Sequence, residues 1–318
     1  MNALWYYWHP VLWSKAVTDK PVPVKLLDQP LVIWRANGKL AAFYDLCLHR
    51  GAALSLGWLS GEHLVCAYHG WNYAADGRCT RIPSLPPDRE IPAKACAKAF
   101  RVQERYGLVW VCLDEPRQDI PDFPPEFGDP SFNWAPYTSE GQWRANAARM
   151  IENLADYSHF PWVHAGILGD PNQAESPAIT LTETKGGFQY EIDTPVNKFR
   201  PNSAAKQLYT VILPFMVTIQ RRQPGSVERH TNIYLCTPVS NHETKFYRLA
   251  GRNYRDVKTD EELNAQHRRI FEQDKRIVES QRPEELPLDL AEELHLRGPD
   301  TPALEYRRRL KQLGVEWQ

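Results

Sequence analysis

The sequence lacks several features that would place it in common functional classes. Its 318 residues carry 38 basic and 39 acidic side chains, so no excess charge of one sign attracts nucleic acid or an anionic membrane. No apolar run approaches the roughly 20 residues that a membrane-spanning helix needs. The first residues, MNALWYYWHPVLW, have neither the basic start nor the small-residue cleavage site of a secretory signal. These absences predict a cytoplasmic protein that binds neither nucleic acid nor membrane.

Cysteine is scarce as well, and its six occurrences have no spacing typical of a disulfide framework. In a reducing compartment such residues are ordinary buried thiols unless they bind a metal. Cys47 and Cys66 are each followed closely by a histidine, which distinguishes them from Cys79, Cys96, Cys112 and Cys236.

The most informative pattern consists of two short Cys/His pairs, Cys47-Leu-His49 and Cys66-Ala-Tyr-His69. One thiolate and one imidazole on each of two loops fit a Rieske [2Fe–2S] centre, in which two cysteines hold one iron and two histidines hold the other. A structural zinc site is the alternative, although zinc fingers usually group their cysteines in one pair and their histidines in another. Gly51 and Gly70 follow the two pairs, where the absence of a Cβ favours close approach of the backbone to a bulky cluster.

The surrounding sequence predicts a small all-β domain over residues 1–118, with the two Cys/His loops at its tips. Its short alternating apolar runs are separated by Asn37-Gly38 and Asp76-Gly77, which are typical of hairpin turns.

A second domain is expected over residues 119–318, beginning with a proline-rich linker at 119–140. Strand-like segments follow this linker and lead to a helix over 259–281. Thr259 and Glu262 form a capping box at the start of that helix.

Asp274 lies in the middle of the apolar face of this helix. A carboxylate that points into a protein core needs a partner, because an unpaired buried charge costs many kcal/mol. A salt bridge to Arg144 or Arg149 is one interpretation, and a metal ion is the other. The rest of the predicted face consists of Leu263, Ile270, Phe271, Ile277, Val278 and Gln281.

Two histidines five residues apart, His159 and His164, offer ligands for such a metal. Imidazole is the commonest metal-binding side chain. Two histidines and one carboxylate on one side of an iron leave the opposite side open for dioxygen and substrate. Asp274 would complete this set, and Asp156 is the alternative third ligand.

The segments CLHRGAALSLG (47–57) and CAYHGWNY (66–73) resemble the N-terminal domain of Rieske non-haem iron oxygenases, the ring-hydroxylating oxygenase α-subunit family. The family has proline after the first cysteine of each loop, where this chain has Leu48 and Ala67. Neither position is a ligand.

The pattern Asp-x2-His-x4-His at 156–164 and the segment FEQDKRIVESQ at 271–281 are similar to the iron motif of this family and to its later helix that bears a carboxylate ligand. The resemblance implies an α+β fold. An all-β Rieske domain precedes a catalytic domain with an antiparallel sheet flanked by helices, of the helix-grip, START-like type.

The resemblance also implies roles for individual residues. Asp156 would link the mononuclear iron to the Rieske centre of a neighbouring subunit through His69 or His49, and Asn153 would lie beside the iron. The distance across one subunit of this family is too long for fast electron transfer, so a head-to-tail homotrimer is implied. The implied metal ligands are Cys47, His49, Cys66 and His69 for the [2Fe–2S] cluster and His159, His164 and Asp274 for Fe(II).

The sequence of residues 158–175 and 277–314 is similar to that of the compact members of this family. These members include caffeine-type N-demethylases, dicamba- and vanillate-type O-demethylases and saxitoxin-pathway hydroxylases. This similarity implies O₂-dependent hydroxylation or N- or O-demethylation of a small aromatic or heterocyclic substrate. Ring cis-dihydroxylation is the alternative reaction. A non-catalytic Rieske electron carrier and a zinc-stabilised binding protein are alternatives of other classes.

The sequence contains no flavin-binding pattern and no C-x4-C-x2-C spacing. Electrons are therefore expected from a separate NAD(P)H-dependent flavin and iron–sulfur reductase. The substrate pocket is expected to be mostly apolar. Its predicted lining is Ile167, Leu168, Val211, Leu213, Ile219, Ile233, Tyr247 and Phe271.

Overall fold

The structure is a computed structural model that describes residues 3–134, 139–194, 205–255 and 259–317. The Cα positions group into two compact units, the first ending at Ile120 and the second beginning at Pro121. Part of the predicted linker, residues 135–138, lies outside the described residues.

The first unit is built from antiparallel strands. Its strands are β1 (His9–Trp13), β2 (Val22–Leu26), β3 (Gln29–Ala36), β4 (Lys39–Tyr44), β5 (Trp58–Ser60), β6 (His63–Val65), β7 (Asn72–Tyr73), β8 (Cys79–Arg81), β9 (Ala99–Arg105) and β10 (Leu108–Cys112). They form a six-stranded sheet with the order β1-β10-β9-β4-β3-β2 and a four-stranded sheet with the order β5-β6-β7-β8.

Both predicted hairpin turns occur in this unit. Asn37 and Gly38 join β3 to β4 with φ angles of 48° and 76°, as a two-residue turn between twisted strands requires. Asp76 and Gly77 lie between the paired strands β7 and β8, and the backbone N–H of Arg78 donates to Asp76 Oδ1 at 3.0 Å.

The Cys/His loops connect β4 to β5 and β6 to β7. Their cysteines are part of the hydrophobic core of this unit, together with Trp34, Phe43, Leu64 and Tyr73. Full burial of one large apolar side chain contributes about 1.5–3 kcal/mol. The loops are therefore anchored at their cysteines to the best-packed part of the unit.

The second unit combines a seven-stranded antiparallel sheet with helices. The strands of this sheet are β11 (Ser139–Trp143), β12 (Thr182–Thr184), β13 (Gly187–Thr194), β14 (Ala205–Ile212), β15 (Met216–Arg222), β16 (Arg229–Ser240) and β17 (Glu243–Arg252). Their order in the sheet is β11-β17-β16-β15-β14-β13-β12. The helices are α1 (Ala147–Leu154), α2 (Phe160–Val163), α3 (Asp260–Val278) and α4 (Thr301–Leu313).

Short 3₁₀ turns complete the two units. They span Ala3–Tyr6, Ser14–Ala16, Leu54–Leu56, Pro125–Gly128 and Pro171–Gln173. Within the described ranges, no helix has the length and apolar composition needed to cross a bilayer.

One face of the large sheet packs against the helices. The ring of Phe271 on α3 lies 4.9 Å from Phe246 and 5.9 Å from Tyr234, and the Tyr190 hydroxyl donates to the carbonyl of Ala155 just after α1. The opposite face meets the segment before β11, where Gln220 donates to Glu126 at 2.7 Å. An antiparallel sheet flanked by helices, following an all-β unit, confirms the predicted α+β fold class.

Helix α3 begins as predicted but is shorter. Thr259 and Glu262 form the reciprocal capping box, whereas the helix ends at Val278, where the Ser280 hydroxyl donates to the Ile277 carbonyl at 2.6 Å. The placement of Ile277 on the apolar face is wrong, because its side chain is 46% exposed. The buried face of the helix is narrower than the predicted apolar face, and its buried residues are Asp274 and Val278.

Candidate metal centres

The two Cys/His loops have matching backbone turns. Gly51 N–H donates to the Cys47 carbonyl at 2.8 Å, and Gly70 N–H donates to the Cys66 carbonyl at 3.0 Å. The glycines have φ angles of 71° and 67°, a left-handed conformation that glycine adopts without strain. The turn itself therefore requires glycine at both positions.

These turns bring the two imidazoles together. His49 Nδ1 lies 3.1 Å from His69 Nδ1, and the His49 ring stacks on Trp71 with centroids 4.8 Å apart. Desolvation and the nearby charges of His69 and Arg50 lower the pKa of His49. Neutral imidazole is the form that binds metal, so the two Nδ1 atoms are suited to one iron.

The two cysteines are 2% and 1% exposed. Burial, opposed in part by a hydrogen bond to the Tyr73 hydroxyl 3.1 Å away, raises the pKa of Cys47, and nearby Cys66 adds to this. Two buried thiols and two converging imidazoles fit a [2Fe–2S] cluster with mixed ligands. Sequence reasoning missed Tyr73, whose hydroxyl reaches back 26 positions to Cys47.

A second cluster of ligand atoms occurs in the other unit. The ligand atoms of His159, His164 and Asp274 all lie within 4.8 Å of one another. Asp274 Oδ1 is 3.0 Å from His164 Nε2 and 3.4 Å from His159 Nε2. His164 and Asp274 are buried, with 1% and 5% of their surfaces exposed. Two imidazoles and one carboxylate facing a common point form a donor set that fits iron(II).

The interpretation of a salt bridge from Asp274 to Arg144 or Arg149 is wrong. The Arg149 guanidinium donates to Glu293 at 2.8 Å, and Arg144 uses its backbone N–H to contact Glu279 at 2.8 Å. Besides the imidazoles, Asp274 Oδ1 accepts a long hydrogen bond of 3.4 Å from Asn153 Nδ2.

The chain between α1 and α2 explains how these groups converge. Asn153 lies in the last turn of α1, and His159 and His164 flank α2 at its two ends. Asp156 accepts hydrogen bonds from the backbone N–H groups of Ser158 and His159 at 2.8 and 3.1 Å, which fixes the turn between the helices.

Asp156 contacts the outer side of one imidazole. Its Oδ2 lies 2.9 Å from His159 Nδ1, whereas Asp274 faces the Nε2 atoms of both histidines. Asp274, rather than Asp156, therefore belongs to the candidate ligand set. Asp156 instead orients His159, as outer carboxylates do for metal-bound histidines.

The charges of this site support one another. Burial raises the pKa values of Asp156 and Asp274, but their hydrogen bonds to His159 more than offset it, so both pKa values fall below the usual range. Burial lowers the pKa of His159, yet the two carboxylates together raise it to about 9. A divalent cation held by these atoms would replace the proton on His159 Nε2, since metal ligation requires neutral imidazole.

Another neighbour of this cluster was missed by sequence reasoning. Gln273 Oε1 lies 3.0 Å from His164 Nδ1. Its position next to Asp274 in the sequence was the available signal. The contact depends on a partner 109 positions away.

The predicted pocket residues lie in different places. Because directly paired residues share a face of a sheet, Val211 and Ile219 lie on the same face as Tyr234. Ile233 and Tyr247 lie on the opposite face, since successive strand residues alternate. Ile167 and Leu168 form the turn after His164, and Leu213 is buried between β14 and β15.

A cavity of about 360 Å³ lies beside α3. Among the described residues, Phe271 is the member of the predicted set that lines it, and Trp143, Phe246, His267 and Arg248 contribute further walls.

Two family profiles match this chain. The Rieske [2Fe-2S] domain matches residues 7–101, and the vanillate O-demethylase oxygenase C-terminal domain matches residues 143–316. The chain is 35% identical to the methylxanthine N1-demethylase NdmA of Pseudomonas putida, over 97% of this chain and 88% of that protein. The chain is a Rieske non-haem iron oxygenase.

This Rieske oxygenase is also 30% identical to the methylxanthine N3-demethylase NdmB of Pseudomonas putida, over 88% of the chain and 82% of that relative. The solved structure of NdmA with caffeine has a TM-score of 0.89 at 34% identity, covering 97% of this chain and 90% of that one. Dicamba monooxygenase bound to dicamba has a TM-score of 0.82 at 22% identity, covering 98% of each chain, which is a likeness of fold.

Membership of this family settles the choice between the alternatives of other classes. The Rieske oxygenase carries a [2Fe–2S] cluster and a mononuclear non-haem iron and uses dioxygen. The zinc-stabilised binding protein and the non-catalytic electron carrier are therefore excluded.

Proposed function

We propose that this Rieske oxygenase is a monooxygenase whose favoured reaction removes an N- or O-methyl group from a small aromatic or heterocyclic substrate. The observation that carries the proposal is the convergence of His159, His164 and Asp274 on one point. Two relatives are named N1- and N3-demethylases, and the matching C-terminal profile is named after vanillate O-demethylase. Hydroxylation of a C–H bond is the other monooxygenation outcome.

We assign the ligands according to the two constellations. When bound, the [2Fe–2S] cluster supplies electrons one at a time and the mononuclear iron activates dioxygen. The assigned cluster ligands are Cys47, His49, Cys66 and His69, and the assigned iron ligands are His159, His164 and Asp274.

Neighbouring side chains keep these ligands in place. Asp156 accepts a hydrogen bond from Nδ1–H of His159, which leaves Nε2 as the metal-binding nitrogen. Asn153 donates to Asp274 Oδ1 and limits its rotation. Tyr190 and Tyr209 are stacked at 5.0 Å and both buried, and the Tyr190 hydroxyl donates to the Ala155 carbonyl next to Asp156.

We further propose a head-to-tail homotrimer in which Asp156 lies at a subunit junction. The Asp156 side chain is 32% exposed, although one of its oxygens binds His159. His49 and His69 turn their Nδ1 atoms toward each other, so each ring keeps its Nε2–H for another acceptor. A neighbouring subunit's His69 or His49 would donate to Asp156 and connect the two metal centres.

Electrons would reach the cluster from a separate NAD(P)H-dependent reductase with flavin and iron–sulfur centres. A cytoplasmic location suits this supply, and no disulfide joins any of the six cysteines, all of which lie among the described residues.

The test combines the purified protein, a surrogate reductase and NADH with methylxanthines and methoxybenzoates as probes. Formaldehyde release, oxygen uptake and peroxide are measured together, so that uncoupled turnover is recognised. We expect formaldehyde from at least one probe, and its loss in His159→Ala with the Rieske EPR signal retained. A cis-diol as the product, or peroxide alone from a fully iron-loaded protein, contradicts the proposal.

A further inference from the structure

The two histidines of the mononuclear site are held by different chemical groups. His159 Nδ1 faces the Asp156 carboxylate at 2.9 Å, whereas His164 Nδ1 faces the amide oxygen of Gln273 at 3.0 Å. On the inner side both rings turn Nε2 toward Asp274. One ring therefore has a charged outer partner and the other has a neutral one.

Helix α3 provides both the carboxylate and this neutral partner. Gln273 and Asp274 are consecutive, and consecutive helical residues point about 100° apart. Asp274 therefore approaches Nε2 of His164 while Gln273 reaches around to Nδ1 of the same ring. A single rigid helix holds both nitrogens of His164.

The backbone of His164 is fixed separately. Its carbonyl accepts hydrogen bonds from Ile167 and Leu168 at 2.9 and 3.0 Å, and the residue is 1% exposed. Bulk water therefore has little access to the ring, and the protein itself must select its tautomer. With the backbone held by the turn, contacts of the ring itself must fix its rotation and its tautomer.

The choice of tautomer decides whether the ring can bind metal. With the proton on Nδ1, the ring donates to Gln273 Oε1 and the lone pair of Nε2 faces inward. With the proton on Nε2, the ring donates instead to Asp274, 3.0 Å away, and two ligand atoms are withdrawn from the metal. An uncharged amide oxygen accepts a hydrogen bond from Nδ1–H and leaves the proton on the ring.

We infer that Gln273 is a positioning residue for the mononuclear iron, which holds His164 in the tautomer that presents Nε2. This inference rests on the proposed function, because it takes His164 and Asp274 as iron ligands. Removal of such an outer partner typically weakens metal binding by about 10–100-fold.

The experiment measures iron affinity rather than turnover alone. Wild type, Gln273→Leu and Gln273→Glu are depleted of the mononuclear iron with the cluster intact, and Fe(II) is titrated back anaerobically against a chromogenic chelator. Gln273→Leu should bind Fe(II) about 10–100-fold more weakly. Gln273→Glu, which keeps an acceptor oxygen, should stay close to wild type. Excess Fe(II) should restore the turnover of Gln273→Leu.

Gln266→Leu is the matched control, because Gln266 lies two turns earlier on the same side of α3. Its affinity for Fe(II) should equal that of wild type. The inference is overturned if Gln273→Leu binds Fe(II) like wild type, if Gln266→Leu loses as much, or if the lost turnover does not return with excess Fe(II). Failure of wild type to bind Fe(II) would instead overturn the proposed function. Normal iron binding without product would contradict the proposed reaction and leave the role of Gln273 intact.

Discussion

Single side chains around the metal ligands determine what the ligands can do. The spacing of cysteines and histidines predicted the two Cys/His pairs and the pair His159 and His164, because local sequence places them on loops and helix ends. The choice of Asp274 as their partner depended on the helix face and on the family resemblance. Tyr73 and Gln273 could not be predicted in the same way. Each contacts a candidate ligand far away in the chain, 26 and 109 positions distant, and only the folded arrangement brings them together.

Tyr73 is expected to raise the reduction potential of the cluster. Its buried hydroxyl lies 3.1 Å from Cys47 Sγ, and a hydrogen bond to a ligand sulfur favours the reduced, more negative cluster. We predict that Tyr73→Phe lowers the midpoint potential by some tens of millivolts while leaving the cluster content unchanged. An EPR-monitored redox titration measures this shift.

Tyr68→Phe serves as the comparison, since Tyr68 lies in the loop before β7 and is 62% exposed. Equal potentials for Tyr73→Phe and wild type would show that the hydroxyl does not act on the cluster.

Contacts between neighbouring segments explain where local prediction succeeded and where it failed. The capping box of Thr259 and Glu262 lies within four residues, so the start of α3 was readable from the sequence. Ile277 was wrongly predicted to lie on the buried face of α3, because the apolar periodicity does not reveal how wide a strip of the helix the rest of the protein covers. Ile233 and Tyr247 lie on the sheet face opposite Tyr234. The sequence alone did not show which face of the sheet turns toward the helices.

A buried histidine joins the first strand to the turn before it and should make the stability of the first unit depend on pH. His9 Nε2 lies 2.9 Å from the Leu4 carbonyl. Burial lowers the pKa of His9 to about 4, although its hydrogen bond to Leu4 opposes this. In the unfolded chain the pKa of His9 is near 6.5, so between about pH 6.5 and 4 His9 is protonated in the unfolded chain and neutral in the folded one. The contribution of neutral His9 is complete above about pH 6.5 and is lost as pH falls toward 4.

Between pH 7.5 and 5.0 this loss amounts to about 2 kcal/mol of the free energy of unfolding. His9→Gln, which keeps a donor for the Leu4 carbonyl, should show a smaller fall in thermal midpoint over that range. Parallel falls in the variant and in wild type would exclude His9 as the cause.

The fold and the two cofactors concern the chain itself, whereas the proposed homotrimer and reductase concern contacts between chains. Family resemblance predicted the α+β fold and the two cofactors, since both follow from motifs within the chain. The homotrimer, the reductase and the substrate depend on surfaces and shapes for which local sequence carries little signal, and they remain proposals.

Asp156→Asn tests the proposed connection between subunits. The amide is expected to keep the turn and both metals, while it lacks the charge that would hold a neighbouring subunit's histidine. Reoxidation of the reduced cluster by O₂ in the presence of substrate should slow by about 10–100-fold, with iron content and oligomeric mass unchanged. Stopped-flow absorbance of the cluster measures this rate. Reoxidation at the wild-type rate would remove Asp156 from the electron path.

The central claim is that His159, His164 and Asp274 hold the iron at which substrate is oxygenated. Its most direct test is a single turnover without reductase, in which chemically reduced wild type and Asp274→Ala are mixed with O₂ and a methylated probe accepted by wild type. Both proteins should retain the EPR signal of the reduced cluster before mixing. We predict formaldehyde from wild type and none from Asp274→Ala. Formaldehyde from Asp274→Ala at the wild-type yield would contradict the account.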